Sequence, residues 1–274
     1  MQGSITGRTV IQPKTLGDAL KLLRDERALT PMAGCTDLYV SLNFGTLSPT
    51  RFLNLWGLDA LRTIERRDGR LWIGALATHT DLIRSALVRR HAPMLAAAAR
   101  EIGGVQIQNR GTIGGNVANA SPAGDTLPVL AALDAVVVLR SAQRRRSVPF
   151  TEFYTGYRKT VRAHDELIEG FEVPAVRGRQ WFRKVGTRAA QAISKVVMAG
   201  VVGPDPRVAI GSVAPTVLRL RRTEAAIARG ASLVDVQQAL ALEVAPIDDV
   251  RSTAEYRRRV AANLLARMLR SPSA

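Results

Sequence analysis

The segment that most restricts the fold is a glycine-rich stretch, residues 103–116, which holds five glycines in fourteen residues. Glycine weakens a regular helix or strand, but it lets the backbone turn sharply and approach another group closely. This glycine density therefore predicts an irregular loop between regular elements, shaped for close contact with other backbone or with a ligand.

Regular elements are expected on the N-terminal side of this stretch. The sequence from Thr15 to Asp18 has the pattern of a capping box, with Asp in place of Glu, and predicts a helix that ends near Arg27. The motif Thr78–Asp81 supplies hydroxyl and carboxylate caps for a later helix. Apolar runs predict buried strands at residues 28–33, 51–55 and 71–76, and helices are predicted at residues 82–89 and 93–102.

The C-terminal side continues this alternation and then changes character. A stretch rich in Pro, Gly and charge at residues 174–179 marks a domain boundary, and 274 residues are more than one typical domain. Beyond the boundary we expect a two- or three-stranded sheet covered by helices, so the fold class is α+β. The predicted elements are a helix at 126–133, a strand at 135–139, a strand with alternating side chains at 167–173, apolar runs at 193–202 and 208–213, and helices at about 224–228, 233–242 and 254–269.

The formal net charge of +16 is the unusual total in the composition. A basic excess of this size first indicates nucleic acid or another anionic partner. Of the 39 basic residues 34 are Arg, they are spread along the chain, and no zinc-finger, RRM or KH pattern accompanies them. We therefore predict no nucleic-acid binding. An Arg-rich genome composition and a face that meets an acidic subunit remain two explanations of the charge.

Cysteine usage and apolar patterning predict the compartment. Cys35 is the single cysteine, so the chain cannot form an internal disulfide, which is typical of a reducing compartment. The N-terminal residues lack the apolar centre of a secretory signal, and the longest apolar runs are too short and interrupted to cross a bilayer. We expect a soluble, cytoplasmic protein with no membrane span.

The sequence shows no grouping typical of hydrolytic or metal chemistry. The histidines His79, His91 and His164 are isolated, and His79 is better explained by the start of a helix than by a catalytic base. An iron–sulfur cluster needs about four thiolates, which one cysteine cannot supply. We therefore predict no catalytic residue and no metal site on this chain.

Two loops could hold a ligand. The first loop, residues 32–38, is a turn of small residues after a predicted strand, where successive N–H groups can bind phosphate oxygens. The second loop, residues 111–125, offers backbone and hydroxyl donors, an amide at Asn116 and a carboxylate at Asp125 without blocking bulk. It matches neither the Walker pattern nor the GxGxxG fingerprint. For each loop a purely structural turn is the alternative.

Together the two loops resemble the paired FAD-pyrophosphate loops of the flavoprotein subunit of molybdenum hydroxylases, the family of xanthine dehydrogenase and carbon monoxide dehydrogenase. That family has roughly Ala-Gly-Gly-Thr-Asp-Leu in the first loop, and Thr-Ile-Gly-Gly-Asn followed by Ala-Asn-Ala-Ser-Pro-Ala-x-Asp in the second. The chain departs only at Cys35, where the family usually has glycine. Residues 182–196 are similar to xanthine-dehydrogenase-type members, and residues 248–258 resemble the C-terminal helix of the same subunit.

The resemblance implies a two-subdomain FAD-binding fold of the vanillyl-alcohol-oxidase/PCMH type over residues 1–175, with subdomains at about 1–57 and 58–175, and a C-terminal α+β domain over 176–274. It implies that both loops hold the pyrophosphate, that Ile168 and Lys184 lie near the isoalloxazine ring, and that the Lys184 cation stabilises the reduced flavin. For Lys184 the alternative is a plain surface lysine. The implied cofactor-binding residues are Met32, Ala33, Gly34, Cys35, Thr36, Asp37, Leu38, Ile102, Ile107, Gly111, Thr112, Gly114, Gly115, Asn116, Ala118, Asn119, Asp125, Ile168 and Lys184.

The resemblance also implies partners. Separate subunits of the family carry the molybdenum cofactor and 2Fe-2S clusters, while this subunit takes electrons on FAD and passes them to NAD, oxygen or another acceptor. We expect a dimer of heterotrimers whose substrate is a purine or another N-heterocycle. A free-standing FAD oxidoreductase and a basic binding module that has lost FAD are the alternatives.

Overall fold

The computed structural model describes residues 5–271. These residues form three sheets of three, five and four strands, a small two-stranded sheet and eleven α-helices. Helices accompany sheets that are antiparallel except for the three-stranded one, which confirms the α+β prediction.

The first unit is a parallel three-stranded sheet with two helices. Its elements are β1 (Thr9–Ile11), α1 (Leu16–Asp25), β2 (Thr30–Met32), α2 (Thr36–Asn43) and β3 (Arg51–Asn54). β3 lies in the middle, with Val10 opposite Phe52 and Pro31 opposite Leu53. Thr15 caps α1 by accepting a hydrogen bond from the N–H of Asp18, as the sequence predicts.

The second unit is an antiparallel five-stranded sheet covered by helices. Its elements are β4 (Ile64–Arg67), β5 (Arg70–Gly74), α3 (His79–Arg84), α4 (Ala86–His91), α5 (Pro93–Arg100), α6 (Val105–Gln108), α7 (Ile113–Asn119), α8 (Thr126–Ala132), β6 (Val136–Arg140), β7 (Arg145–Pro149), β8 (Tyr154–Gly156), β9 (Lys159–Thr160) and β10 (Leu167–Val173). The strand order is β4-β5-β10-β6-β7, while β8 and β9 pair separately.

The C-terminal unit is a four-stranded antiparallel sheet, in chain order, with three helices. Its elements are β11 (Arg179–Val185), β12 (Val196–Val202), β13 (Arg207–Gly211), β14 (Leu218–Arg219), α9 (Arg221–Ala228), α10 (Leu233–Glu243) and α11 (Ala254–Arg270). The three predicted helices are confirmed.

Helix α8 joins the second unit to the C-terminal unit. Every one of its residues is buried, and it contacts α5 on one side and β12, β13 and β14 on the other. Burying a side chain such as Leu127 or Leu130 contributes about 1.5–3 kcal/mol. The second loop leads directly into α8, so this core fixes the loop's position.

The glycine-rich stretch is not the irregular loop that its composition predicts. It contains α6 and the start of α7, and Thr112 caps α7 by accepting from the N–H of Gly115. A Cβ at Gly114 would lie 2.6 Å from the carbonyl oxygen of Ala75. Here glycine permits close packing of a helix against the end of β5 rather than an irregular backbone.

Strand β10 does not alternate as predicted. Leu167, Ile168, Phe171 and Val173 are all buried, whereas Glu169 and Glu172 are only partly buried. A register shift between Ile168 and Gly170 also breaks the two-residue period.

Other differences have local causes. Two helices replace the single one predicted at residues 82–89, because Ser85 leaves the helical conformation and caps α4 through the N–H of Val88. The C-terminal sheet has four strands rather than two or three, since β11 is rich in charge and was not recognised as a strand. The strand predicted at residues 28–33 is shorter, and β2 is only partly buried because it borders a cavity.

Candidate functional site

A cavity of about 510 Å³ lies between the parallel sheet and the second unit. Its size falls within the range of small-molecule and cofactor sites. The lining residues come from the end of β2 and the start of α2, from the turn between β5 and α3, and from the region of α6 and α7.

Most of the residues implied by the resemblance meet at this cavity. The first loop supplies all seven of its residues, from Met32 to Leu38. The others that line the cavity are Ile102, Ile107, Gly111, Thr112, Gly114, Gly115, Asn116, Ala118, Asn119 and Ile168. Asp125 and Lys184 are not among the lining residues.

Gly34 is required where the two loops touch. A Cβ at this position would lie 1.8 Å from the carbonyl oxygen of Arg110, an impossible contact. Arg110 in turn stacks its guanidinium on the ring of Trp56, 3.8 Å from the ring centroid. The first loop is therefore held against the backbone that leads into the second loop.

The backbone conformation at Cys35 explains why the resembled family usually has glycine at this position. Its φ of 63° lies in the left-handed region, where a side chain costs about 1–2 kcal/mol. The thiol donates to the carbonyl of Ala33 at 3.3 Å, so the side chain has a local partner. Burial raises the pKa of the thiol, with Arg110 opposing the shift, so the neutral thiol dominates at pH 7.

The first loop presents backbone donors. Within residues 5–271, no acceptor is hydrogen-bonded to the backbone N–H groups of Gly34 through Leu38. Cys35 makes no side-chain cap to α2, so the first turn of that helix keeps its free N–H groups. The partial positive charge of the helix N-terminus adds to them. This arrangement is suited to an anion such as phosphate.

In the second loop, the N–H groups of residues 113–116 are hydrogen-bonded within the protein and are not available to a pyrophosphate. Ile113 and Gly114 donate to the carbonyls of Ala77 and Ala75 at 3.0 and 2.8 Å. Those of Gly115 and Asn116 bind the hydroxyl and carbonyl oxygens of Thr112. What remains for a ligand here are the N–H of Thr112, which has no acceptor among the described residues, side-chain groups and the bare Cα of Gly115.

The amide of Asn116 has a fixed orientation. The hydroxyl of Thr126 donates to its Oδ1 at 2.5 Å, which leaves the NH₂ group for the cavity. At the other end of α7, Arg158 donates to Oδ1 of Asn119 at 2.7 Å. Desolvation raises the pKa of the nearby Asp37 carboxyl, and Arg158 and Asn119 oppose that shift.

His79 is a cavity residue that the sequence analysis assigned to a helix start only. Its side chain is buried, with the residue 2% exposed, and its Nδ1 has no hydrogen-bond partner among the described residues. Burial lowers its pKa to about 4, so the imidazole is neutral at pH 7. In the sequence, the capping pattern Thr78–Asp81 already accounts for the position of this histidine in the first turn of a helix. No neighbouring residue indicates that its side chain lines a cavity.

Apolar residues of the lining were also missed. These side chains follow ordinary core patterns in the sequence, so no local feature separates them from the interior. They are Pro31, Val40, Leu55, Leu61, Ala75 and Leu76, and the polar residues Thr30 and Arg162 join them.

Lys184 and Asp125 form a buried pair outside the lining. The Lys184 Nζ lies 2.6 Å from Oδ2 of Asp125 and 2.9 Å from the carbonyl oxygen of Glu101. Both side chains are 7% exposed, and Ser194 donates a further hydrogen bond to Asp125. The pair ties β11 to the second loop, and the expected contact of Lys184 with a flavin ring stays a prediction.

The described residues offer neither a metal site nor a membrane span. Residues 5–271 hold no group of three or more His, Cys, Asp and Glu side chains placed to bind a metal ion. None of the helices in the same range has the length and apolar content needed to span a membrane.

Comparison with known proteins agrees with the geometry. Residues 4–176 match the family described as the FAD binding domain in molybdopterin dehydrogenase, and residues 181–271 match the CO dehydrogenase flavoprotein C-terminal domain. The chain therefore belongs to the family of FAD-binding medium subunits of molybdenum hydroxylases, which are oxidoreductases.

Individual relatives cover nearly the whole chain. The glyceraldehyde dehydrogenase medium chain of Sulfolobus acidocaldarius is 32% identical over 91% of this chain and 92% of its own. The xanthine dehydrogenase FAD-binding subunit of Escherichia coli O157:H7 is 32% identical over 89% and 88%. A solved structure of carbon monoxide dehydrogenase from Hydrogenophaga pseudoflava superposes with a TM-score of 0.89, at 28% identity, over 95% of both chains.

Proposed function

We propose that the cavity binds FAD with its pyrophosphate against the first loop. The observation that carries this proposal is the row of N–H groups from Gly34 to Leu38, at the N-terminus of α2, that have no acceptor among the described residues. A pyrophosphate supplies the acceptors that these donors lack, and the helix dipole favours its negative charge.

The second loop forms the opposite wall. Gly115 leaves space because its missing Cβ faces no described atom within 4 Å other than the hydroxyl of Thr112, at 3.0 Å. The hydroxyl of Thr112 and the NH₂ group of Asn116 then serve as side-chain donors. The second loop contributes shape and a few polar groups rather than a cradle of N–H groups.

The apolar part of the lining suits the ring systems of FAD. Ile102, Ile107 and Ile168 come from three separate segments and meet at the cavity. Apolar walls exclude water from an aromatic ring and bury its surface. When bound, FAD supplies the ability to accept and release electrons, while the residues of this chain bind it, orient it and limit water access.

We propose that the chain works as an electron-transfer flavoprotein within a larger complex. Electrons come from 2Fe-2S clusters of a small partner subunit and leave to NAD, oxygen or another acceptor, while the substrate reacts on a molybdenum-carrying large subunit. The supporting observations are the match of both domains to the family and the names of relatives as medium chains. A dimer of heterotrimers in the cytoplasm completes the proposal.

The proposed substrate is xanthine or another N-heterocycle. Its support is the similarity of residues 182–196 to xanthine-dehydrogenase-type members. The relatives with similar identity are named for glyceraldehyde, xanthine and carbon monoxide, so the test must compare all three classes. Turnover of xanthine by the purified complex, without turnover of glyceraldehyde or carbon monoxide, is the expected result.

The deciding experiment is purification of the protein from its native host. We expect a flavin absorption spectrum, and we expect a molybdenum subunit and an iron–sulfur subunit among the co-purifying chains identified by mass spectrometry. Flavin without these partners would favour the free-standing oxidoreductase. A colourless protein that cannot be reconstituted with FAD would contradict FAD binding by this chain.

A further inference from the structure

His79 occupies a fixed place beside the second loop. Its backbone N–H donates to the carbonyl oxygen of Gly111 at 3.0 Å, next to the Thr78–Thr112 bridge. Its imidazole packs on Gly111 so closely that a Cβ there would lie 3.0 Å from Cδ2 and 3.3 Å from Nε2. The ring therefore lies at the cavity wall directly before the residues of the second loop.

The imidazole is polar but has no polar partner among the described residues. Across residues 5–271, neither ring nitrogen makes a hydrogen bond, and Nδ1 is fully buried. Buried polar atoms are nearly always hydrogen-bonded, because an unpaired one loses its bonds to water without replacement. His79 also lines the cavity. Because Nδ1 is closed off from the cavity as well as from water, Nε2 is the ring nitrogen that a ligand in the cavity can reach.

We propose that His79 is a cofactor-binding residue, whose imidazole hydrogen-bonds through a ring nitrogen to a polar atom of FAD. The inference rests on the proposed binding of FAD in this cavity. Because burial keeps the ring uncharged at pH 7, it offers one donor and one acceptor rather than a positive charge. Its contribution is directional, in contrast to the electrostatic pull of the first loop.

A leucine or phenylalanine would fill this position equally well if His79 were only a core residue. The first turn of α3 needs no imidazole, because Thr78 and Asp81 already complete its capping box. The contacts of the described residues therefore give no structural reason for a polar ring at this position.

The test measures FAD affinity of flavin-free full-length protein by fluorescence titration. His79→Phe removes both nitrogens and keeps a ring, and we expect FAD affinity to fall by about tenfold. The thermal midpoint without FAD should stay equal or rise, because an unpaired buried nitrogen disappears. His79→Asn and His79→Gln restore a polar atom at the Nδ1 and Nε2 positions, and one of them should recover most of the affinity. His164→Asn, at an exposed histidine, is the matched control and should change nothing.

Failure of this inference and failure of FAD binding give different results. Wild-type protein that binds no FAD would contradict the proposed function itself. Wild-type binding with equal affinity in His79→Phe would show that His79 makes no useful contact.

A measurement on the wild type covers the case in which His79→Phe does not fold. The chain has three histidines, so imidazole nitrogen NMR signals can be assigned individually. Addition of FAD should shift the His79 nitrogen signals and leave those of His164 in place. Saturating FAD without any shift of the His79 signals would overturn the assignment.

Discussion

The first and second loops border the same cavity, yet their backbone N–H groups do opposite things. Those of Gly34 through Leu38 have no acceptor among the described residues, whereas those of Ile113 through Asn116 are all hydrogen-bonded within the protein. Both loops carry glycine and precede a helix, so they look alike as sequences. The comparison shows that a glycine turn before a helix binds an anion through its backbone only if no neighbouring carbonyl or side-chain cap has taken the donors.

The substitution with the largest expected effect fills the space beside the second loop. Gly115→Trp should weaken FAD binding by roughly a hundredfold or more, because an indole fills the place of the cofactor. Gly17→Trp is the matched control, since Gly17 also lies in the first turn of a helix near a capping Thr, 3.6 Å from Thr15 Oγ1, but on the surface. Arg258→Ala on α11 should likewise keep flavin. Equal flavin content in Gly115→Trp and the controls would place FAD elsewhere.

The substitution with the next largest expected effect breaks the contact that holds the first loop in place. Gly34→Ala puts a Cβ against the carbonyl oxygen of Arg110, so the loop must move, and we expect a loss of about 1–3 kcal/mol of unfolding free energy. FAD binding should weaken as well, because the N–H row shifts. Gly57→Ala, whose Cβ would meet only Gln12 Nε2 at 3.4 Å, should be near neutral in thermal unfolding. Similar behaviour of the two variants would contradict the described loop contact.

A smaller effect separates capping from ligand binding. Thr112→Val removes the hydroxyl that caps α7 and should cost about 1 kcal/mol in the absence of FAD, or roughly 2–4 °C in thermal midpoint. Thr15→Val removes the equivalent cap of α1 and should cost about the same. Only Thr112→Val should also reduce FAD affinity in titration. If Thr15→Val reduced FAD affinity equally, the hydroxyl of Thr112 would have no direct part in the site.

The smallest effect concerns the thiol in the first loop. The thiolate is the form that reacts with iodoacetamide, and burial raises the pKa of Cys35, so the thiolate fraction at pH 7 is below that of a free cysteine. Alkylation should therefore be slower than for free cysteine and should accelerate as the pH rises past the usual thiol range. Bound FAD should slow it further, because Cys35 lines the cavity. Mass spectrometry measures the rate at which this single cysteine is alkylated. Fast alkylation at pH 7 at a rate that FAD does not change would contradict the position of Cys35 in the cavity wall.

Much of the candidate site was predictable because its motifs are local. Small residues and donor groups marked both loops as candidates, the family resemblance then implied their cofactor-binding residues, and the structure brings the first loop and most of residues 111–119 to one cavity. The helix caps at Thr15 and Thr78 were equally local, and both helices start there. These features depend on residues three or four positions apart, which a sequence displays directly.

The errors arose where distant segments meet. The glycines of the second loop were interpreted as marks of an irregular loop, but Gly114 is needed because α7 packs on Ala75, almost forty positions earlier in the chain. β11 was not predicted, because its charged residues interrupt the apolar pattern of a strand. In the structure, all of its residues pair with β12. The partner of Lys184 was equally invisible in the sequence, since its ammonium pairs with Asp125 across fifty-nine positions, and its expected contact with a flavin stays a prediction.

The sequence by itself determined where the turns, caps and small residues stand, and so which two loops could receive a phosphate-bearing cofactor. Only the tertiary structure decided which loop keeps free donors, that His79 joins the cavity without a partner, and that Lys184 closes an ion pair. The physical reason is that local propensity sets a turn, whereas hydrogen-bond satisfaction and desolvation depend on every group that packs around it.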